Sequence, residues 1–151
     1  MSIKLEEMMS EIRYSGINTA KAFATSSSVL SSSSSAGIGY AAGAGAAATQ
    51  ITSRTTGVTV NAISGQITTD TSSLAGLASA KFTVTNTSVA IGDVVIVSIQ
   101  SGSNGGNTVA SVTTVAAGSF QMNVANGNAA AGTAETGAII INFAVIKAVA
   151  A

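Results

Sequence analysis

Four residue types are missing from the 151 residues of this chain: cysteine, histidine, proline and tryptophan. Without cysteine the fold cannot depend on disulfide bonds, which fits a reducing compartment or a protein that never relied on them. A catalytic constellation needs groups that titrate or attack within reach of one another. With no histidine or cysteine, few such groups remain, and we expect a protein that is not an enzyme.

Charge is the next scarcity, because Asp, Glu, Lys and Arg make up only 8% of the chain, against about 25% in an average globular domain. The net charge is zero and no basic cluster occurs. Binding to nucleic acid is driven largely by basic residues that release counterions from the phosphates, so we do not expect this chain to bind DNA or RNA. A surface so poor in charge is either covered by Ser, Thr, Asn, Gln and Gly or buried against other subunits. We expect subunit contacts, and therefore a homo-oligomer.

Signals for export and for membrane insertion are also missing. The N-terminal sequence M-S-I-K-L-E-E carries both signs of charge where a secretory signal needs an uninterrupted apolar core. The strongly apolar run Ala138–Ile146 is shorter than the about 20 apolar residues that cross a bilayer. We expect a soluble intracellular component with no membrane partner.

Branched apolar residues indicate the fold class, since isoleucine and valine together number 28 and leucine only 4. Side chains branched at Cβ suit the pleated surface of a sheet. Asp93–Gln100 and Ala138–Lys147 are the most apolar segments, and we expect both to be buried strands with neighbours on every side. The sequence predicts an all-β protein, an antiparallel β-sandwich or a jelly-roll-like domain.

Short alternating segments separated by turn residues give the predicted strands and core. The segment Val94–Val124 is predicted to be a three-stranded meander, and Ser72–Ser79 one helical turn or an edge loop. The predicted strands are Gln50–Arg54, Val58–Asn61, Gln66–Thr69, Lys81–Asn86, Val94–Gln100, Thr108–Val115, Phe120–Val124 and Ile139–Lys147. The predicted core is Val58, Val60, Ile67, Phe82, Val84, Val95, Val97, Ile99, Val112, Phe120, Met122, Ile140, Phe143 and Val145.

Residues 1–45 are predicted to be a short helix and an extended anchoring arm, and residues 46–151 the β domain. The helix has an apolar face at the spacing i, i+3, i+4, i+7, and Ala24–Ala48 is a tether of Ser, Ala and Gly. The helix either packs on its own domain or docks on another chain, and we favour docking. The predicted anchoring contacts are Leu5, Met8, Met9, Ile12, Val29, Leu30, Ile38 and Tyr40.

Two motifs and three acidic residues raise the question of a cofactor, metal or catalytic site. Gly37-x-Gly39-x-x-Ala42 and Gly43-x-Gly45-x-x-Ala48 mimic a dinucleotide fingerprint, but they follow polyserine rather than a buried strand. Asp70, Asp93 and Glu135 are isolated in sequence, and we expect Asp70 and Asp93 to cap turns. The sequence predicts no cofactor, no metal site and no catalytic residue.

Several segments between residues 39 and 148 carry a resemblance to a known group of proteins: G-Y-A-A-G-A-G at Gly39–Gly45, T-S-R-T-T-G-V-T-V-N at Thr52–Asn61, S-G-Q-I-T at Ser64–Thr68, F-T-V-T-N at Phe82–Asn86, D-V-V-I-V at Asp93–Val97 and I-N-F-A-V-I-K at Ile141–Lys147. The chain resembles small virion structural proteins of tailed bacteriophages, of the head decoration, cement or capsid-fibre type. The family more often has a Gly-Thr-Val-like step where this chain has Ala46-Ala47-Ala48, and a proline in the loop that here reads Ala62-Ile63-Ser64. Both differences concern local turn geometry.

The resemblance implies a β-rich homotrimer that binds the major capsid protein on the outer capsid surface after assembly in the host cytoplasm. It supplies no catalytic residues. The alternative is a receptor- or glycan-binding module of a phage head or tail fibre. That alternative calls for exposed aromatic side chains, and Tyr14 and Tyr40 both precede the β domain.

Overall fold

The computed structural model describes residues 39–40, 43–104, 106–129 and 133–148. These residues form eight strands and no helix, so none of them provides a helical membrane span. The all-β prediction is confirmed. The strands are β1 (Gly45–Thr49), β2 (Val58–Thr59), β3 (Ser64–Thr68), β4 (Ser79–Thr85), β5 (Val94–Ser101), β6 (Thr108–Ala116), β7 (Ser119–Asn126) and β8 (Ile140–Ile146).

Two four-stranded sheets pack in a sandwich-like arrangement. Sheet A has the order β1-β3-β8-β5, and sheet B has the order β2-β4-β7-β6. From β1 to β6 the chain changes sheet at every connection, so β1 runs parallel to β3 and β2 runs parallel to β4. The remaining pairs are antiparallel. The prediction of purely antiparallel sheets was therefore wrong.

The predicted meander over Val94–Val124 was wrong for the same reason. Among the described strands, β6 and β7 are the consecutive pair joined as a hairpin, whereas β5 pairs with β8 in the other sheet. Glycines after β5 permit a turn, but the apolar side chains of β5 and β6 face each other across the core. Burying both sets favours a crossing between sheets over a hairpin within one sheet.

The core lies between the two sheets and follows the period of two along the central strands. Alternate residues of β4, β7 and β8 point inward, and the rings of Phe120 and Phe143 contact each other across the core with centroids 5.7 Å apart. Most of the predicted core is confirmed. Ile140 was wrong: Ile139 and Ile141 are fully buried, so Ile140 lies on the opposite face of β8.

Two strands differ from their predicted roles. β1 occupies residues 45–49 instead of the predicted Gln50–Arg54, which forms a loop. β5 was expected to have neighbours on both sides, but it is the outermost strand of sheet A, and Val94 and Ile96 are exposed. Apolar residues on both faces of β5 therefore do not mark a central strand.

Gly65 explains why the alanine-rich segment before Thr49 forms a strand. A Cβ atom at Gly65 would lie 1.9 Å from the carbonyl oxygen of Ala46 and 3.0 Å from the ring of Phe143. The lack of a side chain lets β1 approach β3 closely enough to pair with it. Gly45, the last residue assigned to the arm, already pairs with Ser64.

Candidate interaction surface

Arg54 is a buried cation at one end of the sandwich, in the loop between β1 and β2. Its Nη1 donates to Oγ1 of Thr69 at 3.0 Å, and its Nη2 donates to the main-chain oxygens of Gly137 at 2.7 Å and Glu135 at 3.4 Å. Its Nε donates to the carbonyl oxygen of Ser72. The side chain of Arg54 therefore joins its own loop to residues 69–72 and to residues 135–137.

Glu135 is a buried anion near the same end, and its carboxylate is used by a different loop. Its Oε1 accepts a hydrogen bond from the backbone N–H of Asn104 at 2.7 Å, and its Oε2 accepts one from the hydroxyl of Thr108. The backbone of Glu135 pairs with Leu74 in both directions. The carboxylate thus fixes the connection between β5 and β6 to the segment before β8.

The electrostatics of this end are those of a structural network. Burial lowers the pKa of Arg54, and the negative charges of Glu135 and Asp70 oppose that shift. Asp70 accepts hydrogen bonds from the hydroxyl and the backbone N–H of Ser72, which lower the pKa of its carboxyl. Because the donors are backbone and side-chain groups of the chain itself, the network stabilises loop conformations.

Asp93 and Lys147 form an ion pair, the one found among the described residues. Lys147 Nζ is 2.6 Å from Asp93 Oδ2, with the aspartate side chain buried and the lysine side chain exposed. A hydrogen bond from the backbone N–H of Ala90, followed by that from Lys147, lowers the pKa of Asp93 below its ordinary value of 3.8. The lysine also donates to the carbonyl oxygen of Ser88.

The three acidic residues therefore do not form one cluster in the described part of the chain. Asp70 and Glu135 act on Arg54, whereas Asp93 pairs with Lys147 next to β5 and β8. No group of three or more Asp, Glu, His or Cys side chains that could hold a metal occurs among the described residues. Asp70 and Asp93 each accept a nearby backbone N–H, which confirms the turn-capping prediction.

An uncharged, partly apolar surface lies where β5 and β6 run beside each other as the outermost strands of their sheets. We call residues 94–101 and 108–116 the β5–β6 flank. None of these residues is charged. The inward-facing side chains of the central strands β4, β7 and β8 are at most 4% exposed. Those of the flank are only partly buried: Val95, Val97, Ile99, Ala110, Val112 and Val115.

Outward-facing apolar side chains enlarge this surface. Val94 and Ile96 on β5 are 51% and 52% exposed, and Val109 on β6 is 57% exposed. On sheet A, Val94 lies opposite Ile146, which is 48% exposed, and Ile96 lies opposite Ala144. Val94 and Ile96 lie on the outer face of sheet A and Val109 on the outer face of sheet B, at the two margins of the flank. Exposed apolar side chains grouped on neighbouring strands are typical of an interaction site, whereas single exposed apolar residues in loops need no explanation.

The predicted anchoring residues Leu5, Met8, Met9, Ile12, Val29, Leu30 and Ile38 lie outside the described residues, and their role stays a prediction. Tyr40 is described: its hydroxyl donates to the carbonyl oxygen of Val145 on β8, and 42% of the residue is exposed. Phe82, Phe120 and Phe143 are buried. Tyr40 is therefore the exposed aromatic residue of the described part.

Sequence reasoning missed the network around Arg54 and Glu135. A signal was present, because each is a lone charged residue in a segment of Ser, Thr, Ala and Gly. An isolated charge in such a setting is a candidate for burial with fixed partners. The partners themselves come from distant segments, so no local pattern identifies them.

Comparison with known proteins adds no assignment. The chain matches no protein-family model, no curated protein and no solved structure.

Proposed function

We propose that this chain is a structural subunit of a bacteriophage virion, a homotrimeric decoration or cement protein that binds the outer capsid surface and stabilises it. The observation that carries the proposal is the β5–β6 flank, where the core is partly open and no residue is charged. A protein that worked as a free monomer would expose this apolar surface to water, at a cost that contact with other subunits removes.

The carboxylates support a structural role over a catalytic one. Glu135 and Asp93 are buried, and their oxygens accept hydrogen bonds from Asn104, Thr108, Ala90 and Lys147. A general acid or base must instead present its carboxyl to a substrate. We therefore propose a protein that is not an enzyme.

Capsid attachment belongs to residues 1–45 in this proposal. An N-terminal amphipathic helix and an extended arm contact the major capsid protein, and the jelly-roll-like β domain holds three such arms together. Three weak contacts linked in one trimer give an avidity that a single arm lacks. The low charge of the body leaves hydrophobic docking of the helix as the main source of affinity.

The test is binding of the chain to capsids that lack it, measured by co-sedimentation. The full chain is compared with a chain that begins at Gly39, which keeps β1 and the hydrogen bond of Tyr40 to Val145. We expect the shortened chain to keep its circular dichroism spectrum and to lose binding. Unchanged affinity of the shortened chain would show that the arm is not the anchor.

A matched pair of full-length variants separates the apolar helix face from the segment as a whole. In one, serine replaces the four apolar residues of the predicted face, Leu5, Met8, Met9 and Ile12. In the control, glutamine replaces the acidic residues Glu6, Glu7 and Glu11. We expect binding to fall in the first variant and to persist in the second. Equal binding by both variants would contradict docking through the apolar face.

A further inference from the structure

The β5–β6 flank leaves one side of the hydrophobic core incompletely covered. On the opposite side of the sandwich, where β1 and β2 are the outermost strands, Val58 and Val60 are buried. On the flank, Val97 and Val112 pack against the core but remain accessible to water. Core side chains in a closed sandwich are removed from water on all sides. This side of the core therefore requires a cover.

The two strands of the flank have only one of the features that prevent edge-to-edge association, a bulge in each strand. Exposed edge strands are commonly protected by charged side chains, by proline or by very short length. β5 has eight residues and β6 has nine, and neither contains a charged residue or proline. Each has one bulge, between Ile99 and Ser101 and between Val112 and Thr114. The straight segments before the bulges, from Val94 and from Thr108, remain unprotected.

The size of the flank fits contact with another copy. Strands of eight and nine residues at about 3.3 Å per residue extend for about 28 Å. Two sheets about 10 Å apart, with their outward side chains, make the flank about 20 Å wide. This gives roughly 600 Å² per copy and roughly 1,200 Å² for two copies, which reaches the lower range of specific interfaces. A flank without charge also meets itself without repulsion between like charges.

We propose that the β5–β6 flank is the surface through which copies of this chain associate. The inference rests on the proposed function and specifies its oligomer contact. Around a three-fold axis, the half of each flank formed by β5 faces the half formed by β6 of the next copy, so the ring closes with all three flanks covered. The arms are left free to contact the capsid.

The experiment measures the mass of the full chain by sedimentation equilibrium over a concentration series. Ile96→Lys places a charge on the outward face of β5, and Val109→Lys does the same on β6, both at exposed positions that the monomer fold tolerates. Ile51→Lys is the matched control, because Ile51 is 87% exposed in a loop outside the flank. Circular dichroism and thermal unfolding check that every variant folds.

We expect each flank variant to raise the concentration for half-association by at least about 100-fold, since the introduced lysine would be removed from water in an uncharged interface with no partner for its charge. Ile51→Lys is expected to associate as the unchanged chain does. Hydrogen exchange supplies a second readout: the backbone amides of β5 and β6 that point away from their partner strands β8 and β7 become protected as concentration rises, and this protection disappears in Ile96→Lys.

Two outcomes would overturn the flank contact. One is an oligomer whose mass and concentration dependence are unchanged in both flank variants. The other is a monomer in which the β5 amides that point away from β8 are protected at every concentration, which would mean that the chain covers its own flank. A mass of two copies that both flank variants abolish would support the flank contact and contradict the trimer of the proposed function. Loss of capsid attachment with the flank contact intact would contradict only the proposed function.

Discussion

Replacing Arg54 with methionine removes the cation that joins three segments at one end of the sandwich. Arg54 makes four hydrogen bonds, to oxygens of Thr69, Ser72, Glu135 and Gly137. Methionine keeps much of the volume but leaves these buried acceptors without their donor and removes the favourable coulombic influence of Arg54 and Glu135 on each other. Leaving a buried hydrogen-bond acceptor without its donor costs about 1–3 kcal/mol, so we expect the loss of these four donated bonds to cost at least about 3 kcal/mol. That is a large share of the about 5–15 kcal/mol by which a domain is stable.

Urea unfolding followed by circular dichroism measures this loss, with the slope of the transition checked for change. Lys81→Met is the control, since it removes the same charge from an exposed position on β4 and is expected to change the free energy of unfolding by less than about 0.5 kcal/mol. The double variant Arg54→Met/Glu135→Gln should lose less than the sum of the single losses. A loss below about 1 kcal/mol for Arg54→Met would refute the account of the network.

Two further predictions concern single positions. Gly102→Ala should destabilise the domain by at least about 2 kcal/mol more than Gly92→Ala in urea unfolding. Both glycines have φ near +91°, but only at Gly102 would an added Cβ meet a backbone atom, the oxygen of Ala138 at 2.1 Å. Equal losses of stability in the two variants would contradict the steric argument. Asp93→Asn should lower the unfolding temperature at neutral pH. The pKa of Asp93 is lower in the folded state than its ordinary value of 3.8. The ionised carboxylate therefore stabilises the folded protein fully at pH values above 3.8, and this stabilisation is lost as the pH falls through the folded-state pKa. The difference from the unchanged chain should therefore shrink in acid, and a difference that stays constant down to about pH 2 would show that ionisation of Asp93 contributes nothing.

The strands were predictable wherever one face of the sheet is buried and the other is polar. In β4 the residues Ala80, Phe82 and Val84 alternate with exposed Lys81 and Thr83, and the period of two is plain in both sequence and structure. At the start of β8 the three consecutive isoleucines 139–141 hide the alternation between buried and outward-facing residues. The prediction therefore placed Ile140 in the core, whereas its neighbours Ile139 and Ile141 are the buried residues.

Contacts between distant segments limited the rest of the fold prediction. The alanine-rich β1 has the composition of a linker, and it is a strand because Gly65 on β3 admits its backbone. β5 has the composition of a buried strand on both faces, and its position at the edge follows from pairing with β8 alone. Neither relationship has a local sequence signal.

The sequence predicted that the candidate surface would be uncharged, but not where it would lie. Scarcity of charge in the sequence predicts subunit contacts, but it does not say which surface would form them. The location depends on β5 and β6 ending on the same side of the two sheets, which is a property of the strand order. The buried network of Arg54 was likewise out of reach, because its acceptors at Thr69 and Gly137 come from other loops.

The central proposal, that this chain is part of a virion shell, is tested most directly on purified phage particles produced from a genome that carries its gene. Quantitative mass spectrometry gives the ratio of the chain to the major capsid protein, and electron cryomicroscopy of the same particles locates it. The account predicts a fixed ratio and three-fold density on the outer capsid surface. Particles that are complete and infectious but contain none of the chain would contradict it.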